Sequence, residues 1–230
     1  MPDSRLTAKG QAMRTRILNA AAEAFAQSGY ERTRVADIVK LAGTAHGNFY
    51  RHFVDKDDVL VEVLRPMITE VRVAASRKAS AALVPSLDDL TERSTAHFRA
   101  YARTYRLLRV MREAAARGES ASFLDLWLAE RQRFVVRTER WLNELQQLGH
   151  IEESVNLHLL AESLGALTEQ MAYVYIGLAT SPLDDARIEE LGRTCGRIWY
   201  LSIFGDARAL DAARRTASTT APEETAHEAD

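Results

Sequence analysis

With 230 residues, 47% of them hydrophobic and 27% charged, the chain has the make-up of an ordinary soluble globular protein, long enough for one large domain or two smaller ones. A net charge of -2 argues against a uniformly basic nucleic-acid binder, and the lone cysteine, Cys195, excludes an intrachain disulfide or a cysteine metal cluster. The first residues lack the apolar stretch of a signal peptide and no apolar run approaches the ~18 residues of a membrane helix, which predicts a cytoplasmic protein with no membrane partner.

Residues 1–11 are polar and predict a mobile N-terminal arm. A helix follows over 12–28, with Ile17, Ala21 and Phe25 on one stripe and Gly29 ending it as a left-handed residue. Thr33 is placed to cap the next helix, which carries Val35, Ile38, Val39 and Ala42 at helical spacing and closes at Gly43. A further helix over 45–53 puts Ala45, Phe49 and Phe53 inward, so that Gly47 and Arg51 face out, flanked by Asn48 and Tyr50, with His46 in the first turn. Two short helices about a tight turn, the second with a polar outer face, form a helix-turn-helix pattern. Asn and His at the start of a reading helix can exchange hydrogen bonds with base edges, a glycine lets backbone approach closely, and Tyr50, Arg51 and Lys56 suit phosphates. Charge agrees: residues 1–54 hold eight Lys and Arg against four Asp and Glu.

The motif Thr33, Ala42-Gly43, Gly47-Asn48-Phe49-Tyr50-Arg51-His52-Phe53 and Lys56-Asp57-Asp58-Val59-Leu60 resembles the TetR family of transcriptional regulators over residues 15–64. One departure is Thr44-Ala45 where the family commonly has Val-Ser. The DNA-facing set over the whole stretch is Thr33, Arg34, Thr44, His46, Gly47, Asn48, Tyr50, Arg51, His52 and Lys56.

Past residue 55 the chain continues as helices. Asp55 caps the first, Asp57 and Asp58 suit its positive end, and Lys56 opposes it unless an anion lies nearby. Pro66 predicts a kink or a break near residues 64–66, since proline removes a ladder bond. Ser86 caps the next helix, with Leu90, Ser94, Phe98, Tyr101, Tyr105 and Leu108 along one side, and Gly118 interrupts the chain. A long helix over 122–148 then repeats Phe123, Trp127, Phe134, Thr138, Trp141 and Leu145. Two helices with three-and-four spacing close the fold, one carrying Leu157, Leu160, Leu164, Leu167 and Met171, the other Ile188, Leu191, Cys195 and Ile198. Such seams pair either inside one subunit or with their own copies, and the resemblance favours a homodimer. Residues 206–230 are acidic and have the composition of a disordered tail.

The class is therefore all-α: a helix-turn-helix domain over 12–54 and a helical effector-binding and dimerisation domain over 55–205. No histidine, cysteine or carboxylate grouping has metal-ligand or catalytic spacing, so neither an enzyme nor a cofactor is expected. The resemblance implies a regulator of operator DNA, most simply a repressor, whose helical domain encloses a small-molecule effector and re-angles the helix after the reader. The aromatic stripes name Phe98, Tyr101, Tyr105, Phe123, Trp127 and Phe134 as lining, with Glu169 and Tyr173 as polar contacts, and suit a largely apolar effector. The competing expectation is a dimeric binding or interaction protein whose helix-turn-helix no longer reads DNA.

Overall fold

The computed structural model describes residues 7–74, 76, 82–116 and 121–205, apart from the side chains of 114, 115, 121 and 123. Among the described residues eight α-helices follow one another: α1 Ala8–Arg32, α2 Val35–Leu41, α3 His46–Tyr50, α4 Lys56–Ala74, α5 Leu87–Ala116, α6 Ala121–Gln147, α7 Leu157–Ala172 and α8 Asp185–Phe204. A π-helical turn, Tyr173–Gly177, extends α7. Helix is the only regular structure among the described residues. The acidic segment 206–230 and the region of Gly118 lie outside them.

Helix α1 starts earlier than its apolar pattern predicts, because Thr7 accepts a hydrogen bond from the Gly10 N–H and caps it; residues 8–11 are helix rather than arm. Gly29, at φ 77°, ends the regular turns as expected, and one further turn follows. Thr33 does not cap α2. It is 1% exposed, and its hydroxyl donates back to the Gly29 carbonyl at 2.6 Å, so it closes α1; the cap of α2 is Arg34, whose N–H donates to Asp37. Gly43 has φ 57°, as the tight turn requires. Phe49 and Phe53 point inward, whereas Ala45 is exposed at the cap of α3.

Helix α4 runs through Pro66 without a break; the proline is exposed, so its ring is accommodated on the solvent side. Ser86 and Asp89 cap α5 reciprocally, each backbone N–H donating to the other's side chain. Helix α5 is the axis of the molecule. Its last turns pack on the α1–α4 core through Leu107, Val110 and Met111, while Phe98, Tyr101 and Leu108 pack with Ile188, Leu191 and Cys195 of α8. A third cluster joins α6, α7 and the end of α8 through Val135, Leu142, Leu145, Ala161, Leu164 and Ile203.

Burial corrects the seam reading. Leu164, Ile188, Leu191 and Cys195 lie inside the chain and cannot face a second copy; α5 occupies the seam of α8. Apolar residues left exposed on these elements include Leu159, Val174, Tyr175, Leu178, Ile198 and Leu201.

Candidate functional site

Two sites sit at opposite ends of α4. At its start, four ties fasten the helix-turn-helix. Lys56 Nζ donates to the Tyr30 carbonyl at 2.9 Å and lies 3.8 Å above the Tyr30 ring, the Tyr30 hydroxyl meets Asp57, and Arg14 pairs with Glu62 at 2.7 Å. The position of Lys56 is thus explained from within: a cation at the α4 N-terminus serves the carbonyl end of α1. Replacing Lys56 with Ala is expected to lower stability by about 1–2 kcal/mol, from a charge-assisted hydrogen bond and a cation–π contact, measured by urea unfolding.

On the reader itself, Arg16 of α1 donates to the Gly43 carbonyl at 3.2 Å and holds the turn. Asn48 donates to the Thr44 hydroxyl at 2.8 Å, which orients the amide, while α3 has no side-chain cap at Ala45. His46, Gly47, Tyr50 and Arg51 are exposed, Tyr50 to 58%, and Thr44 and Asn48 half-buried. His52 is partly buried and its Nδ1 has no partner; burial, then Arg14 and Arg51, holds its pKa below the ordinary value.

Beyond the middle of α4, a cavity of about 310 Å³ lies among α4, α5, α6, α7 and α8. Its walls are apolar and aromatic: Ile68, Leu108, Met111, Phe134 and all three of the chain's tryptophans, Trp127, Trp141 and Trp199. The wall is held by polar ties between helices. Trp127 donates to Glu169 at 2.8 Å, Arg131 pairs with Glu162 and, at 3.6 Å, with Glu169, and Trp199 donates to Thr168 at 3.0 Å. Gly165 makes room for the Phe134 ring, since a Cβ there would meet it at 2.6 Å. Tyr101 borders the cavity with its phenol pushed above the ordinary value by burial. Among the described residues no group of three His, Cys, Asp or Glu side chains is arranged to hold a metal.

Residues 17–63 match the family model described as bacterial regulatory proteins of the tetR family. Over 78 residues the chain is 33% identical to the fatty acid metabolism regulator protein of Bacillus subtilis, covering 30% of this chain and 40% of that one. It is 23% identical over 176 residues to the HTH-type transcriptional regulator EthR of Mycobacterium tuberculosis, 76% of this chain and 79% of that one. The structure of a SmeT–triclosan complex superposes with a TM-score of 0.63 at 21% identity, covering 86% of this chain and 94% of SmeT. Residues 17–63 thus carry the DNA-binding segment of the TetR family of transcriptional regulators. Members of the TetR family are DNA-binding regulators rather than enzymes.

Within this TetR-family framework the expected residues separate. On the reader, Arg34, Thr44, His46, Gly47, Asn48, Tyr50 and Arg51 are accessible in whole or part, whereas Thr33 is buried and Lys56 is engaged internally. Around the cavity, Tyr101, Trp127, Phe134 and Glu169 are lining residues. Phe98 is core, fully buried between α5 and α8. Tyr105 stacks with Arg106, and Tyr173 carries the Arg112 guanidinium 4.0 Å above its ring; neither reaches the cavity wall. The Phe123 side chain lies outside the described residues. Sequence reasoning missed His97, Arg137, Trp141 and Trp199 as lining. Trp141 stood on the same stripe as Trp127 and Phe134, so the signal was present; His97, between Ala96 and Phe98, and Arg137, after Val135 and Val136, are single polar residues whose spacing marks no wall.

No helix among the described residues is long and apolar enough to cross a membrane.

His97 gives the TetR-family fold a pH dependence. Its Nε2 is shielded without a partner, and burial pushes its pKa down to about 4. An unfolded chain takes up that proton near the ordinary value of 6.5, so the unfolded state binds it first. The contribution is complete above that value and is lost as pH falls towards the folded value, by about 3 kcal/mol in all. Urea melts of the native chain and of His97→Phe at neutral and acid pH check this: the variant is expected to lose distinctly less stability on acidification.

Proposed function

We propose that this TetR-family protein is a homodimeric repressor, released from its operator when a largely apolar small molecule enters the helical domain. The dimer sets one α3 per half-site in successive major grooves about 34 Å apart. His46, Gly47 and Asn48 read base edges, Arg34, Thr44, Tyr50, Arg51 and the partly exposed His52 hold the backbone, and the reader unit runs over 12–54. The second copy packs on the outer face of α7 and α8, where Leu159, Ile198 and Leu201 are exposed and Leu157, Leu160, Leu167 and Met171 remain partly so.

One observation carries the reading. Met111 belongs to the core under the reader and also lines the cavity, with Ile68 and Trp127 packed against the same core. Helix α4 joins the two regions, gripped by the reader at Tyr30 and Arg14 and facing the cavity through Ile68, Val71 and Arg72. A molecule that fills the cavity pushes on α4 and α5, and through them on the angle of α3. Coupling of about 100-fold in DNA affinity corresponds to roughly 2.7 kcal/mol, within reach of a few altered apolar contacts. The relative named for fatty acid metabolism and the neighbour solved with triclosan support an apolar effector.

Binding to the DNA upstream of the protein's own gene tests this, by fluorescence anisotropy at physiological salt against scrambled DNA of equal length. Sequence preference that survives salt, and that collapses when a cavity ligand is added, is the expected result. Equal affinity for both DNAs rejects the reading.

A further inference from the structure

We infer that the effector is an amphipathic acid, its anionic head paired with Arg137 and its apolar body lying along the tryptophan-lined cavity. This rests on the proposed regulatory reading only for the word effector; the binding itself is independent of DNA.

The charge balance of the cavity is the starting point. Five arginines and three glutamates line it. Arg131 is matched by Glu162 and Glu169, and Arg72 reaches Glu130 at 3.9 Å. Glu130 is also taken by Arg133. Arg112 donates to the Gln170 side chain and lies over the Tyr173 ring. Arg137, one turn beyond Arg133 on α6, has its guanidinium 5.8 Å from the Phe134 ring centroid, and among the described residues no carboxylate stands within ion-pair distance of it. Arg72, Arg133 and Arg137 thus gather around a single carboxylate.

A partly buried guanidinium without a counter-ion is costly, because its lost hydration is not replaced. Burial and then the neighbouring Arg72 depress the Arg137 pKa, and Glu130, already shared by Arg72 and Arg133, offsets only part of this. An incoming carboxylate supplies the missing charge and accepts from the guanidinium fork, an arrangement that arginine geometry favours. A cationic ligand meets the same surplus as repulsion. The remaining wall, with Leu108, Met111, Trp127 and Phe134, offers apolar surface to a tail, and a cavity near 310 Å³ sits at the small end of the range for ligand sites.

The three cavity tryptophans make binding directly visible as intrinsic fluorescence. The full chain is titrated with decanoate, 1-decanol and decyltrimethylammonium below their aggregation limits, and the titrations are repeated with Arg137→Gln and the charge-preserving Arg137→Lys. Expected is tighter binding of decanoate than of either analogue by about tenfold or more, a preference lost in Arg137→Gln and largely kept in Arg137→Lys. Decanol binding as tightly as decanoate, a decanoate affinity unchanged by Arg137→Gln in a variant whose circular dichroism melt shows it folded, or no binding of decanoate at all overturns the inference. Should Arg137→Gln fail to fold, the comparison of the three probes on the native chain decides. Anisotropy with the upstream DNA is run in parallel: loss of DNA preference with decanoate binding intact defeats the regulatory reading and leaves the head-group assignment standing.

Discussion

Gly196→Val is expected to destabilise the protein by about 3 kcal/mol, a large share of the ~5–15 kcal/mol that holds a typical domain together. Helix α8 lies against α5 at Gly192 and Gly196, one turn apart. A Cβ on Gly196 would stand 2.7 Å from the backbone N and Cα of Thr91 and 2.9 Å from the carbonyl carbon of Leu90. Backbone cannot rotate aside as a side chain does, so the helices must separate and the contacts of Phe98 with Ile188, Leu191 and Cys195 loosen. Valine's gain in helix propensity over glycine, a few tenths of a kcal/mol, offsets little of this. At Gly192 the nearest atom is different: the Thr95 hydroxyl oxygen, 1.9 Å from the added carbon, with the Thr95 Cα at 2.8 Å. Thr95→Ala should therefore rescue part of the loss in Gly192→Ala and none of that in Gly196→Val. Thermal melts of the single and double variants measure both, and a Gly196→Val midpoint within about 2 °C of the native protein would rule out this packing, since the expected loss corresponds to about 10 °C.

Gly47→Leu is expected to leave the fold intact or slightly more stable while reducing operator affinity by about 100-fold or more. Gly47 lies in α3 at ordinary helical φ, is exposed, and has nothing within 4 Å of where a Cβ would stand. Neither conformation nor packing within the chain asks for glycine there, and glycine costs about 1 kcal/mol against alanine inside a helix. What the position gains is room for something outside the chain, and the proposed major-groove contact of α3 supplies it. A leucine side chain there would hold the helix away from base edges. Anisotropy with the upstream DNA reads the loss and a thermal melt reads the fold. Should the variant bind as tightly as the native protein, α3 does not enter the groove through this face.

The reader was legible because its signals are local. Gly29 and Gly43 announce left-handed backbone, and both have it; Phe49 and Phe53 fall inward at the expected spacing. Thr33 misled, because a threonine before a helix reads as a cap whether its hydroxyl turns forward to α2 or back to the Gly29 carbonyl. Lys56 misled in the same way, its partner being a carbonyl 26 residues earlier in the chain. In the helical domain, periodicity marks which side of a helix is covered but is silent on the cover. Ile188, Leu191 and Cys195 carry an interface repeat, yet the surface they meet is α5. Phe98 and Trp127 looked alike as stripe residues; one is core and the other borders a cavity, a distinction set by how α5, α6 and α7 splay. The pairing of Arg131 with two α7 glutamates, and the surplus it leaves at Arg137, depends on three helices meeting and has no trace along any one of them.

Control of DNA binding from the cavity is the central claim, and one titration addresses it most directly. Labelled upstream DNA bound to the native protein at physiological salt is titrated with decanoate, and tryptophan fluorescence and DNA anisotropy are recorded on the same sample. The account predicts that both signals move over the same ligand range and that DNA is released by about 100-fold in affinity. Full occupancy of the cavity by fluorescence, with the DNA complex undisturbed, would contradict it.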